Sequence, residues 1–239
     1  MIIWQVLWIL FSQLSSMQRN KKMEVEQFDY VKESNVSLID AMGSDLTVVN
    51  SARVSFGKKK DKFEPKDKKL IAYLAKHGHW TPFGHVSLQF HINAPVFVAR
   101  QLVKHQVGLV WNEISRRYVD TKPEIYTPEN WRGRAEDKKQ GSSDEIAWKR
   151  CLEYESLTKT MVGAYERMIA DGICPEQARM ILPQSMMTEW YWSGTLMAFA
   201  RVCNLRCKPD AQLETRMITD QIDELSSVVA PISWKELRK

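Results

Sequence analysis

The chain has 239 residues, 44% of them hydrophobic and 26% charged, with a formal net charge of +5 at pH 7. This is enough to bury a substantial core in one domain or two, and the balance excludes a disordered or low-complexity chain. The mild positive charge permits anionic partners but does not demand nucleic acid, whose binders usually show concentrated basic stripes.

The first sixteen residues carry no charge and are rich in Trp, Ile and Leu. The run falls short of the roughly 20 apolar residues a membrane span needs. Arg19, Lys21 and Lys22 follow it, whereas a secretory signal carries its basic residues in front. A membrane-surface anchor, an unusual leader and a start placed upstream of the true one remain open, with Met17 and Met23 both available as starts. From Pro65 onward Leu70, Ile71, Leu74 and Ala75 recur at helical spacing, and Gly78 supplies a stop. Val86, Leu88, Phe90 and Ile92 then alternate with Ser87, Gln89, His91 and Asn93, the period of a half-buried strand that Pro95 closes.

Val96–Val107 reads as a helix with Arg100 and Lys104 one turn apart on one face, beside Gln101 and His105. Gly108 ends it and opens a loop carrying Asn112, Glu113, Ser115 and Arg117. Residues 121–144, rich in Pro, Gly, Lys and Asp, read as a surface excursion. A long amphipathic helix is expected from Ile146 to Ile169, with Trp148, Leu152, Leu157, Met161, Tyr165 and Met168 inward. Pro175 suits the first turn of another helix, placing Arg179 near its middle. Thr195–Arg206 reads as helical with Leu196, Phe199, Ala200, Val202 and Cys203 inward, and a final helix spans Pro209–Val229. Strands and helices do not alternate regularly, so the fold class is a helix-rich α+β domain.

No Asp or Glu occurs between Asp67 and Glu113, and all five histidines fall in that gap. Lys76, Arg100 and Lys104 thus have no acidic neighbour in sequence, which suits a multiply anionic ligand. Glycine-rich phosphate loops are lacking, so side chains must do the recognition. His77, His79 and His85 are close enough for a metal, but no carboxylate adjoins them, and no metal site is assigned. The cysteines, Cys151, Cys174, Cys203 and Cys207, form no Cys-x-x-Cys pair and read as reduced thiols of a cytoplasmic protein. Ser115 lacks the Gly-x-Ser-x-Gly elbow of a nucleophile. Trp190, Tyr191 and Trp192 read as an aromatic core cluster in preference to a base-stacking platform.

The stretch Ala99-Arg100-Gln101, Lys104-His105-Gln106, then Asn112-Glu113-x-Ser115-x-Arg117-Tyr118 resembles the signature of the flavin-dependent thymidylate synthases. That signature is Arg-His-Arg, seven residues, then Ser, after an Ala-Arg-Gln helix and before an Arg-Tyr pair. Asp45-Leu46 with Ala52–Phe56, Lys76–His79 with Thr81–Phe83 and His85, Ala178-Arg179 before Leu182-Pro183, and Asn204–Arg206 before Ala211-Gln212 and Glu214 are similar to further blocks of the family. The chain departs from the pattern in several places. Lys104 and Gln106 replace two arginines, eight residues rather than seven precede Ser115, and Gly84 stands where an acidic residue is usual. Thr195 and Met197 stand where Asn and Arg are usual. The likeness spans Met23–Lys239 and leaves residues 1–22 outside as an extension, which favours Met23 as the start.

The resemblance implies a helix-rich single α+β domain over 23–239 with a central, mainly antiparallel sheet. It implies reductive methylation of dUMP to dTMP, with methylenetetrahydrofolate as carbon donor and NADPH as reductant through FAD. No cysteine lies in the Pro-Cys-His setting of the cysteine-dependent thymidylate synthases, so the ring would be activated electrostatically. Arg206 would face the uracil as the catalytic cation. Gln101, Lys104, Glu113, Ser115, Arg116, Arg117 and Arg179 would hold the rest of dUMP. Ser55, His79, Thr81, Lys104, His105, Gln106, Glu113, Thr195 and Arg201 would line FAD. The family assembles these sites between subunits of a homotetramer and takes small-molecule partners, with neither nucleic acid nor membrane. Two rival readings are a fold relative that binds nucleotide or nucleic acid without the chemistry, and a metal-dependent nucleotide hydrolase.

Overall fold

The computed structural model describes residues 28–136 and 141–238; the expectations for residues 1–22 lie outside them. The centre is a four-stranded antiparallel sheet in the order β2 (Asn35–Met42), β3 (Ser87–Pro95), β8 (Met187–Thr195), β4 (Leu109–Glu113). Smaller pairs join β1 (Tyr30–Val31) to β5 (Ile125–Tyr126) in parallel and β6 (Trp131–Arg134) to β7 (Ser142–Trp148) in antiparallel. The helices are α1 (Asp45–Arg53), α2 (Asp67–Lys76), α3 (Val96–Leu102), α4 (Leu152–Ala170), α5 (Pro175–Ala178), α6 (Leu196–Arg206), α7 (Leu213–Val229) and α8 (Pro231–Leu237). Among the described residues no helix is long and apolar enough to cross a membrane.

The strict alternation of β3 puts Leu88, Phe90, Ile92 and Ala94 on one buried face. Its register with β8 sets Phe90 opposite Trp192 and Ile92 opposite Trp190, so both indoles enter the same core. Phe199 of α6 meets Phe90 and Trp192 edge-on at 4.9 and 5.3 Å, and Trp111 of β4 stacks on Trp190 at 4.4 Å. The core reading of the aromatic triplet holds for the two tryptophans; Tyr191 points to the opposite, solvent face, where His91 pairs with Glu189 at 3.2 Å. All five residues expected inward on α6 are buried.

Buried carboxylates fasten the helices to one another. Asp45 accepts from the backbone N–H groups of Ser233 and Ile232 at 2.7 and 3.0 Å, capping the first turn of α8. Asp67, fully buried, accepts from Arg53 at 3.0 Å, from Lys60 at 2.6 Å and from the Glu64 N–H at 2.9 Å. The turn carrying Ser55 is thereby tied at both sides.

Several expectations are corrected. Helix α3 stops at Leu102, so Lys104 and His105 lie in the following turn and Arg100 and Lys104 do not share a helix face. Leu109–Glu113 is a strand, not a loop: its Val and Trp find cross-strand partners on β8, and that pairing outweighs the polar Asn112 and Glu113. The 121–144 segment contributes buried Ile125 and Tyr126 and most of the β6–β7 hairpin. Ile146 and Trp148 are exposed hairpin residues, with Trp148 opposite Trp131. Helix α4 therefore begins later than expected, burying Thr158, Val162 and Tyr165 and exposing Leu152 and Leu157. Arg179 sits in a 3-10 turn (Arg179–Ile181) directly after the short α5. The helix expected over Pro209–Val229 starts at Leu213 and ends at Val229 as α7, and a further helix, α8, follows it from Pro231.

Gly194 of β8 lies close against the start of β4: a Cβ there would lie 2.4 Å from the Gly108 carbonyl oxygen and 2.5 Å from Leu109 Cδ2. Gly194→Ala is expected to destabilise the fold by about 1–3 kcal/mol, read as a lower urea midpoint at unchanged m-value. An unchanged midpoint would contradict this reading of the strand contact.

Candidate active site

Strand β4 forms one edge of the sheet, and the turns carrying His105 and Ser115 lie at its two ends. At the first end, the turn after α3 carries Lys104, His105 and Gln106, with Lys104 and Gln106 exposed. Arg206, the last residue of α6, donates from Nε to His105 Nε2 at 3.1 Å. The two residues are 101 positions apart in sequence. An imidazole nitrogen that accepts must be unprotonated. Burial, followed by the positive charges of Arg206 and Arg201, holds His105 below its ordinary value of 6.5. Burial also lowers Arg206, whose ordinary value lies so far above neutrality that it stays charged.

Thr195 adjoins this end, its backbone N–H on the Gly108 carbonyl at 3.2 Å. Thr195 pairs with Ser87 and caps α6, its hydroxyl accepting from Ala198 N–H at 3.2 Å. Thr81 is exposed in the 3-10 turn (Thr81–His85) that leads into β3. His79 is exposed and stacks on Tyr73 with ring centroids 6.0 Å apart. The Ser55 hydroxyl donates to the Ala52 carbonyl at 3.0 Å. Among the described residues no carboxylate pairs with Lys76, Arg100, Lys104, Arg201 or Arg206, so the tertiary fold leaves the acid-free stretch un-neutralised.

At the second end, Glu113 accepts from the Thr188 hydroxyl at 2.7 Å and from Trp111 Nε1 at 3.2 Å. Ile114 N–H closes the strand on the Glu189 carbonyl at 3.0 Å, and a tight turn follows, with Tyr118 N–H on the Ser115 carbonyl at 3.0 Å. Ser115 Oγ accepts from both Arg117 N and Arg117 Nε at 3.3 Å, and the Arg117 guanidinium lies 5.0 Å from the Tyr118 ring centroid. Arg116 donates to the Thr121 carbonyl. Arg179 is exposed, bonded through Nε to the Glu176 carbonyl at 3.3 Å. On α3 the Gln101 Oε1 is buried with no hydrogen-bond partner, an acceptor that a ligand donor would satisfy.

The five residues of β4 hold the two clusters roughly 13 Å apart, at about 3.3 Å per residue. Two concavities lie elsewhere. One of about 680 Å³ runs along Phe28, Tyr30, Trp131 and α4, and one of about 480 Å³ lies beside Tyr126, Arg132 and Glu214. Thr188 and Asp67, which fix Glu113 and the Ser55 turn, were not foreseen from the sequence. For Thr188 no local signal exists, since only strand register brings it to Glu113.

The sequence profile of a family described as Thymidylate synthase complementing protein matches residues 37–232. A protein named flavin-dependent thymidylate synthase from Thermus thermophilus is 38% identical over 200 residues, covering 83% of this chain and 73% of the relative. One of the same name from Thermosipho africanus is 36% identical over 206 residues, covering 84% and 90%. Among solved structures, a UMP/dUMP methylase, PolB, from Streptomyces cacaoi bound with 5-Br dUMP is similar at TM-score 0.76 and 26% identity, over 87% of this chain and 96% of that one.

The folded state holds the His105 pKa below that of the unfolded chain, so the stability this confers is complete above about pH 6.5. It is lost as the pH falls through the folded value. Arg206→Gln removes one of the charges opposing protonation, and the His105 midpoint read by imidazole NMR is expected to rise toward 6.5. An unchanged midpoint would mean that the contact does not persist in solution.

Proposed function

The chain belongs to the flavin-dependent thymidylate synthase family, a family of methyltransferases, and we propose for it the full reaction. It converts dUMP to dTMP, taking the methylene carbon from methylenetetrahydrofolate and electrons from NADPH through FAD. The observation that carries the reading is the Arg206–His105 contact. It holds a partly buried guanidinium by its Nε while, among the described residues, nothing bonds its two terminal nitrogens.

Those free donors suit the uracil edge. A fixed cation there stabilises the ring deprotonated at N3 and raises electron density at C5 without a protein nucleophile, since preorganised charge acts most strongly away from water. His105, neutral, orients Arg206 without adding a second charge. At the other end, Arg116, Arg117 and Arg179 with the Ser115 hydroxyl take the phosphate and sugar, joined by Gln101 and Lys104. Glu113, steadied by Thr188, lies between nucleotide and cofactor.

The flavin fits the first cluster. Lys104 and Arg201, exposed and with no carboxylate partner among the described residues, suit a diphosphate, and the exposed Trp80 and stacked Tyr73–His79 rings suit a planar ring system. Thr81, His105, Gln106 and Ser55 supply further polar contacts, Thr195 does so while capping α6, and Glu113 reaches the cofactor from the second end of an adjoining subunit. When bound, the flavin supplies the hydride and carbon-transfer chemistry, and the protein supplies position and field. Lys104 and Gln106 cannot make the bidentate contacts of arginine, so cofactor binding is weaker than two arginines would give.

A homotetramer whose subunits bring the two ends of β4 against each other would join the two clusters into one site. The family domain spans 23–239, residues 1–22 are an extension, and the enzyme works in the cytoplasm.

Tritium release from [5-³H]dUMP, with methylenetetrahydrofolate and NADPH, is expected to depend on added FAD and to yield dTMP. Arg117→Ala is expected to weaken dUMP binding roughly ten- to hundredfold, the value of one charged hydrogen bond. Absence of release with dUMP still bound would overturn the enzyme assignment and leave the fold assignment standing.

A further inference from the structure

Cys203 and Cys207 lie one turn apart on the same face of α6, on either side of Arg206 in sequence, and the proposed reaction uses neither. Cys203 is fully buried, its thiol directed at the Thr219 carbonyl of α7 at 3.6 Å. Cys207 is partly buried at the helix end, its backbone N–H bonded to the Cys203 carbonyl at 3.0 Å. The Cys203 thiol beside it holds Cys207 below the ordinary thiol value, and the neighbouring Cys207 together with burial pushes Cys203 well above it. Thr219 lowers Cys207 further, while its burial and Asp220 oppose. Of the pair, Cys207 is the nucleophile and Cys203 the proton-bearing neighbour.

We propose that Cys203 and Cys207 form a peroxide-sensitive dithiol whose oxidation withdraws Arg206 from His105. The Cys207 thiolate attacks one oxygen of hydrogen peroxide; the O–O bond breaks, Cys207 becomes the sulfenic acid, and the departing hydroxide takes a proton to become water. The Cys203 sulfur, giving up its proton, then attacks Cys207 Sγ; the S–S bond forms and the S–O oxygen leaves as a second water. Two thiols are oxidised and one peroxide is reduced. An external dithiol reverses the step.

Geometry couples this chemistry to the site. Cβ atoms four residues apart on a helix stand about 5–6 Å from each other, whereas a disulfide requires about 3.8 Å. Closure must therefore break the Cys207 N–H to Cys203 carbonyl bond and unwind the last turn of α6. Arg206 belongs to that turn, and Pro209, which has no N–H, cannot help rebuild it. The guanidinium then loses its hold on His105.

The test uses the full chain carrying Cys151→Ser and Cys174→Ser, exposed to a few equivalents of hydrogen peroxide. Trypsin cuts after Arg206, between the two cysteines, so the disulfide joins two peptides that separate on adding dithiothreitol. The joined peptides are expected, with the His105 midpoint raised as in Arg206→Gln and dUMP affinity lowered at least tenfold. Cys207→Ser in the same background is expected to bind dUMP as before and to ignore peroxide. The same linkage in the unsubstituted chain frees the result from the two background changes. Sulfinic acid on Cys207 without linkage, or linkage with an unmoved His105 midpoint, would overturn the proposal. The linkage and titration readouts are independent of the proposed reaction; only the dUMP readout rests on it.

Discussion

Leu109–Glu113 can pair with the inner strand β8 because Gly194 offers no side chain where the Gly108 carbonyl passes, and because Gly108 itself turns with a φ of 77°. The Gly108 carbonyl then accepts from Thr195 N–H at 3.2 Å, the step that starts α6. Much of the site's geometry follows from this close approach. It sets where α6 begins and so where Arg206 ends up, and it places the His105 turn and the Ser115 turn at opposite ends of one short strand. It also directs Trp111 onto Trp190, adding its indole to the aromatic core.

Charge is distributed on the same plan. The described buried carboxylates serve the fold: Asp45 caps α8, Asp67 gathers Arg53 and Lys60, and Glu214 takes Arg132 at 2.7 Å. Among the described residues Lys76, Arg100 and Lys104 of the acid-free stretch have no such partner. Desolvation, which holds His105 neutral, strengthens the field of Arg206 beside it, since screening falls as water is removed.

The sequence was most legible where a single periodicity ruled. Strand β3 alternates from Ser87 to Ala94, α2 and α6 keep their apolar stripes, and the signature residues stood out through the missing acids and the family pattern. It was least legible where tertiary pairing overrode local preference. Val103–Val107 has helical character yet turns, because the chain must reach β8. Trp148 fits a helical stripe yet pairs across a hairpin with Trp131. The phase of α4 is set by Thr158, which hydrogen-bonds to the Tyr30 hydroxyl at 3.0 Å across the fold, a contact no local pattern encodes. The closeness of His105 to Arg206, like that of Glu113 to Thr188, is likewise a product of sheet register and helix packing.

The central claim is that the two ends of β4 serve one reaction, each end supplied by a different subunit. Co-expression of an Arg206→Ala chain with an Arg117→Ala chain tests it most directly, with tritium release from [5-³H]dUMP as the readout. Each variant alone is expected to be nearly inactive, and the mixed assembly to recover about a quarter of the wild-type rate, because random mixing leaves some sites with both arginines intact. No recovery in demonstrably mixed assemblies would mean that both arginines act from the same chain, and the shared-site account would fall.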